Sequence, residues 1–212
     1  MNRTLAATLA VTFATPALAH HPLQGLPMET FAHGLMSGIG HPVLGFDHLF
    51  FVAAMGVAAA FTGHAVRAPL AYVAAMLAGV VLTTLGLALP AAEAMIVLSL
   101  LAIGGVVLSG RALTLTPALI LFAAFGLFHG AAFGGAVAGQ EGGVGGAVFT
   151  GYVLGLAAIQ YALALAAGFA ALKLAPAASS VNARLAGAAV AGVGLFLALE
   201  MIEGPLVAAL AG

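Results

Sequence analysis

Residues 117–138 read PALILFAAFGLFHGAAFGGAVA, with no Asp, Glu, Lys or Arg among them. Such a run covers the ~20 residues an α-helix needs to cross ~30 Å of hydrocarbon. It is apolar all round and has no polar face to turn toward water. Gly126, Gly130 and Gly134 recur every four residues along it. Small residues at that spacing let helix backbones approach closely, the main packing device in lipid. The stretch reads as a membrane-spanning helix with a packing face. Its one ionisable group, His129, lies near mid-membrane on the glycine-rich side.

The rest of the chain has the same character. Of 212 residues, 64% are hydrophobic and 5% charged, against about 45–50% and about 25% in a soluble domain. So few charges cannot cover a soluble particle, and lipid must solvate much of the surface. Five Lys/Arg against six Asp/Glu give a net charge of −1. That excludes the basic stripe on which nucleic-acid binding depends. With no cysteine, disulfides, thiolate zinc sites, iron–sulfur ligation and Cys nucleophiles are excluded. Seven His in so apolar a chain point to transition-metal chemistry, because imidazole is the commonest such ligand among side chains.

Outward from this helix, Pro42, Pro69, Pro90, Pro117, Pro176 and Pro205 fall at or near the edges of apolar stretches. Proline is tolerated in first helical turns and at breaks. Six spans are expected, at about 43–62, 69–88, 92–109, 117–138, 147–172 and 185–205. Arg3, the short apolar run 5–14 and the A-x-A site Ala17-Leu18-Ala19 predict a cleavable signal peptide over 1–19; an uncleaved first helix is the alternative. Residues 20–212 then form a single transmembrane domain. Within 27–40, Met28, Phe31, Leu35 and Ile39 lie near one helical face. This predicts a short amphipathic surface helix, or a re-entrant half-helix leading into span 1. With the mature N-terminus outside, Arg67, Arg111, Lys173 and Arg184 all fall in cytoplasmic loops, as the positive-inside rule expects. Glu93, Glu141 and Glu203 fall on or near the outer side. The fold expected is an all-α polytopic bundle in the bacterial inner membrane, with both mature termini periplasmic.

The chemistry concentrates where span 1 begins, at Gly40-His41-Pro42-Val43-Leu44-Gly45-Phe46-Asp47-His48-Leu49. Ionisable groups at membrane depth usually mark a pathway, relay or ligand site. On an ideal helix His41 and His48 lie ~20° apart in azimuth but ~10 Å apart along the axis, so an ion steps between them rather than binding both. Adjacent Asp47 and His48 point ~100° apart and share an ion only with irregular backbone, which Gly45 and Pro42 make plausible. Asp47 otherwise orients a ligating His or attracts a cation by charge. A lone intramembrane His such as His129 is as often interhelical glue as ligand. Glu200, about two turns inside span 6, and His33, paired with Glu29 at i, i+4, are further candidates. Gln160, Tyr161, Thr83 and Thr84 read as helix glue, His64 as interfacial, and His20 and His21 as a loose terminal chelate or a disordered end.

The run His41-Pro42-x-x-Gly45-x-Asp47-His48 resembles the H-x5-D-H signature of the HupE/UreJ nickel/cobalt permeases. Phe128-His129-Gly130-x-Ala132-x-Gly134 resembles their second signature, an FHG-x-A motif in a later span. The signal peptide, six spans and small size fit the same family, so the resemblance covers essentially the whole chain. It implies metal uptake, with His41, Asp47, His48 and His129 as functional residues. Family members often carry a Glu two residues after the last Gly of the second motif. Here that position is Ala136, and the nearest acid is Glu141. Either Glu141 takes over from an outer loop, or this branch differs in metal or rate.

The function expected is a secondary transporter, not an enzyme, importing Ni2+ or Co2+ as substrate. Imidazole with carboxylate suits nickel, cobalt, zinc or copper alike, whereas calcium and magnesium prefer all-oxygen shells; nickel or cobalt is what the resemblance implies. The partners expected are the ion and the lipid bilayer, with no nucleic acid and a homo-oligomer left open. Two rival classes are a haem-binding electron carrier with two axial His and an intramembrane metal-dependent hydrolase. For the second, there is no H-E-x-x-H motif.

Overall fold

The computed structural model describes residues 27–139 and 144–211. The expected signal peptide and Glu141 lie outside the described residues. Within them the chain is all-helical, with seven helices: α1 (Phe31–Leu44), α2 (Phe46–Phe61), α3 (Ala68–Thr84), α4 (Ala92–Leu108), α5 (Leu115–Ala138), α6 (Gly146–Leu174) and α7 (Val181–Ala211). Helices α5, α6 and α7 are each long and apolar enough to cross a membrane. α1 and α2 meet that test together as a pair bent by 78°, and α3 and α4 are shorter apolar helices.

Local chemistry explains most ends. Thr30 caps α1 by accepting the His33 N–H through its hydroxyl. Pro69 sits in the first turn of α3, where a missing N–H costs nothing. Just past the end of that helix at Thr84 and the cap residue Leu85, Gly86 takes a φ of +85°, which favours a residue without Cβ. The Leu87 N–H then closes back on the Leu82 carbonyl, satisfying an orphan acceptor of the last turn.

Two prolines depart from the expected boundaries. Pro42 lies inside α1 and Pro205 inside α7. The break near the first comes instead at Gly45, whose extended backbone (φ −82°, ψ 101°) separates α1 from α2. Expected span 1, 43–62, corresponds to α2, and the helix expected over 27–40 is α1, which runs into it across the 78° bend. Expected span 2 stops at Thr84, and the last helix runs past both ends of 185–205.

Packing follows the small residues. Gly126, Gly130 and Gly134 of α5 lie against the backbone of Tyr72, Met76 and Val80 in α3, and Gly79 of α3 lies against Leu127 and Gly130. Gly34 and Gly38 of α1 meet Val148 and Tyr152 of α6, while Gly151 and Gly155 of α6 meet Phe31 and Leu35 in return. Gly104 of α4 and Gly187 of α7 interlock similarly with Ala191 and with Val107 and Leu108. A Cβ at most of these glycines would strike a neighbouring main-chain atom. Backbone contact of this kind replaces the hydrophobic driving force that lipid removes.

The same rule decides between the two placements expected of 27–40. Helix α1 buries Gly34, Ser37, Gly38 and Pro42 against the bundle and leaves Phe31, Met36 and Ile39 exposed. It is packed along α6 rather than laid on a surface by its large apolar residues.

Candidate metal centre

The bend at Gly45 brings three of the expected residues to one cavity. His41 ends α1, and Asp47 and His48 begin α2. Because the chain turns between them, the His41 and His48 rings are 5.9 Å apart centre to centre, not the ~10 Å of a continuous helix. Asp47 and His48 also converge, against their expected divergence. The Asp47 carboxylate folds back on the open helix start, and its Oδ1 accepts the His48 N–H at 2.8 Å. Its other oxygen, Oδ2, then stands 3.9 Å from His48 Nε2, too far for a hydrogen bond. Asp47 therefore lies beside the ring without orienting it.

The ring of His48 is held by His129. Their Nδ1 atoms are 2.8 Å apart, and both residues are buried. His129 Nε2 lies 2.9 Å from Ser99 Oγ of α4, and that hydroxyl donates to the Ile96 carbonyl. His41 Nδ1 lies 3.2 Å from the Tyr152 hydroxyl of α6, which donates to the Phe133 carbonyl. Aromatic rings wall the group. Phe133 lies 4.2 Å from the His48 ring and 5.0 Å from the His41 ring, and Phe51 stacks on His129 at 4.4 Å. Phe51 in turn contacts Tyr72 and Phe125, and Tyr72 donates to Gln160. That aromatic layer closes the bundle one turn further along α2.

On the other side an open cavity of about 830 Å³ is lined by His41, Asp47, His48, Glu93 and Ala136, among others. Glu93, in the first turn of α4, was read from the sequence only as an outer-side acid. An acid there is also what a solvated helix start carries, so no sequence signal separated the two readings. Ser99 and Tyr152 escaped the sequence reading altogether. Each lies in a largely apolar helix, and its partner is visible only in three dimensions.

The other candidates fall elsewhere. Glu200 is exposed and lines an adjoining cavity that shares Asp47 and Glu93 with the larger one. His33 stays at the start of α1, where its Nδ1 accepts the Glu29 N–H. Among the described residues no three His, Asp or Glu side chains close to a ready metal shell. The cavity group is an open arrangement.

The family model described as HupE / UreJ protein matches residues 8–197. The chain belongs to the HupE/UreJ family. Protein HupE of Rhizobium leguminosarum bv. viciae is 35% identical over 193 residues, covering 90% of this chain and 95% of that protein. No solved structure matches. The histidine cluster thus lies within the stretch this HupE/UreJ member shares with its family, and both quoted motifs face one another across it.

Proposed function

We propose that this HupE/UreJ protein is a permease that imports a divalent transition metal, Ni2+ or Co2+, from the periplasm to the cytoplasm. The observation that carries this reading is the convergence of His41, Asp47, His48 and Glu93 on one open cavity whose floor is the His48–His129 pair. Borderline N/O ligands of this type suit late first-row ions. In this reading Glu93, with Glu200 at the edge, attracts the cation, and the imidazoles take it down. Glu93 also supplies a carboxylate to the cavity wall where Ala136 offers none, a role the sequence had suggested for Glu141.

The proposed setting is the bacterial inner membrane, with six crossings by 20–212 after a signal peptide over 1–19. Helices α1 and α2 together make the first crossing, and both mature termini are periplasmic. The protein acts on no covalent bond. Its partners are the ion and the bilayer, with no nucleic acid, and it is compatible with a homo-oligomer. A haem carried axially by His48 and His129 is disfavoured, because the two rings meet at their Nδ1 atoms 2.8 Å apart, with no space for a macrocycle between them, and His129 Nε2 is engaged by Ser99. The test is accumulation of radiolabelled nickel and cobalt in cells with and without the protein. Metal-dependent uptake is expected, and equal accumulation in both would overturn the reading.

A further inference from the structure

We propose that two hydrogen-bond relays fix the imidazole tautomers so that His41 and His48 both present Nε2 as the ligating nitrogen, and that His129 is a positioning residue for His48 rather than a ligand. This rests on the transport reading for its purpose, but not for its geometry.

Counting protons establishes the relays. A main-chain carbonyl can only accept. Ser99 has one hydroxyl proton, and its Oγ lies 2.6 Å from the Ile96 carbonyl oxygen, so the proton lies between them. Ser99 Oγ must then accept from His129, which puts the His129 proton on Nε2. Neutral His129 has only a lone pair left at Nδ1, and the 2.8 Å contact to His48 Nδ1 needs a proton from the other side. His48 is therefore protonated on Nδ1, and in the neutral, metal-binding form of the ring its electron pair is on Nε2. The second relay has the same form. Tyr152 donates to the Phe133 carbonyl, so its oxygen accepts from His41 Nδ1. In the neutral, metal-binding form the His41 electron pair is then on Nε2 as well.

The outcome matches the cavity. Nε2 of His48 is the nitrogen that stands 3.9 Å from Asp47 Oδ2. Two electron-pair donors at that separation can each reach one cation at about 2.0–2.2 Å. His129, with Nε2 committed to Ser99 and Nδ1 to His48, does for His48 what a carboxylate or carbonyl does behind many metal-bound imidazoles: it fixes tautomer and ring orientation. Ser99 and Tyr152 anchor the two chains.

Two measurements decide this. Histidine nitrogen NMR of the metal-free, full-length protein, assigned by single His substitutions, reads the tautomers directly. Nδ1–H at His48 and His41 with Nε2–H at His129 is expected; Nε2–H at His48 or Nδ1–H at His129 would overturn the relays. X-ray absorption of Co2+-loaded protein then counts imidazole ligands. Two are expected in both wild type and His129→Asn, whose amide oxygen can stand in for Nδ1. A count of three in the wild type, or the loss of one in His129→Asn, would show His129 to be a ligand. Ser99→Ala should weaken Co2+ binding about tenfold, and Ser99→Thr should restore it. Wild-type protein that binds no Co2+ would contradict the transport reading, and the nitrogen spectra would still decide the relays.

Discussion

The two histidine-bearing segments are built in opposite ways. Helix α5 is unbroken and carries His129 fully buried, with Gly126, Gly130 and Gly134 pressed onto α3. Helices α1 and α2 are broken at Gly45 and deliver His41 and Asp47, both partly exposed, to a cavity edge. One segment holds its imidazole by packing, and the other brings its side chains together by giving up helical regularity. In the transport reading proposed above, the first is a fixed reference and the second an adaptable mouth. Irregular backbone at membrane depth is tolerated where it lines such a cavity.

The largest effect should come from attacking the rigid half. Gly130 lies against the Met76 backbone, so Gly130→Leu has no flexible neighbour to displace. A core overpacked in this way loses more than about 3 kcal/mol. Little folded protein should be recovered from membranes, as measured by size-exclusion profile and thermal unfolding. Normal yield and stability would show that the α3–α5 contact is looser than described.

At the break, a Cβ on Gly45 would meet the His48 ring and the Asp47 carboxylate. Its backbone angles are open to any residue. Gly45→Ala should therefore leave stability within about 1 kcal/mol while lowering the apparent affinity for metal several-fold in uptake assays. Equal losses of stability and uptake would remove the distinction between the two segments. Glu93→Gln should raise the half-saturating metal concentration by a smaller factor, since it removes attraction at the mouth rather than a ligand. Glu141→Gln should do less, and the reverse order would return the carboxylate role to Glu141. Smallest of all, His33→Ala should leave uptake unchanged, because His33 is engaged with the start of its own helix.

The same contrast marks how far the sequence could be read. Helix α5 was legible almost entirely. Its length, its glycine spacing and the inward side of His129 all follow from one apolar run with a four-residue repeat. The placement of the α1–α2 residues was not. Helical periodicity assumes a continuous helix, and Gly45 with Pro42 offered only a hint that it would fail. The convergence of Asp47 on His48 depends on a carboxylate folding back to a helix start, which a 100° rule ignores. Glu93 was hidden because a helix N-terminus accommodates an acid with or without a function. Ser99 and Tyr152 were hidden because their partners come from other helices. The placement of α1 was open in the sequence, because a surface helix and a half-helix leading into a span share one spacing, and the contact of Gly34 and Gly38 with α6 separates them.

The central claim is that metal crosses at the floor of the α1–α2 cavity, where His48 meets His129. It is tested most directly by nickel and cobalt accumulation in cells producing His48→Ala/His129→Ala, compared with wild type at matched membrane levels. Uptake near that of cells lacking the protein is expected, with the variant still folded and inserted. Wild-type accumulation by the double variant would contradict the claim.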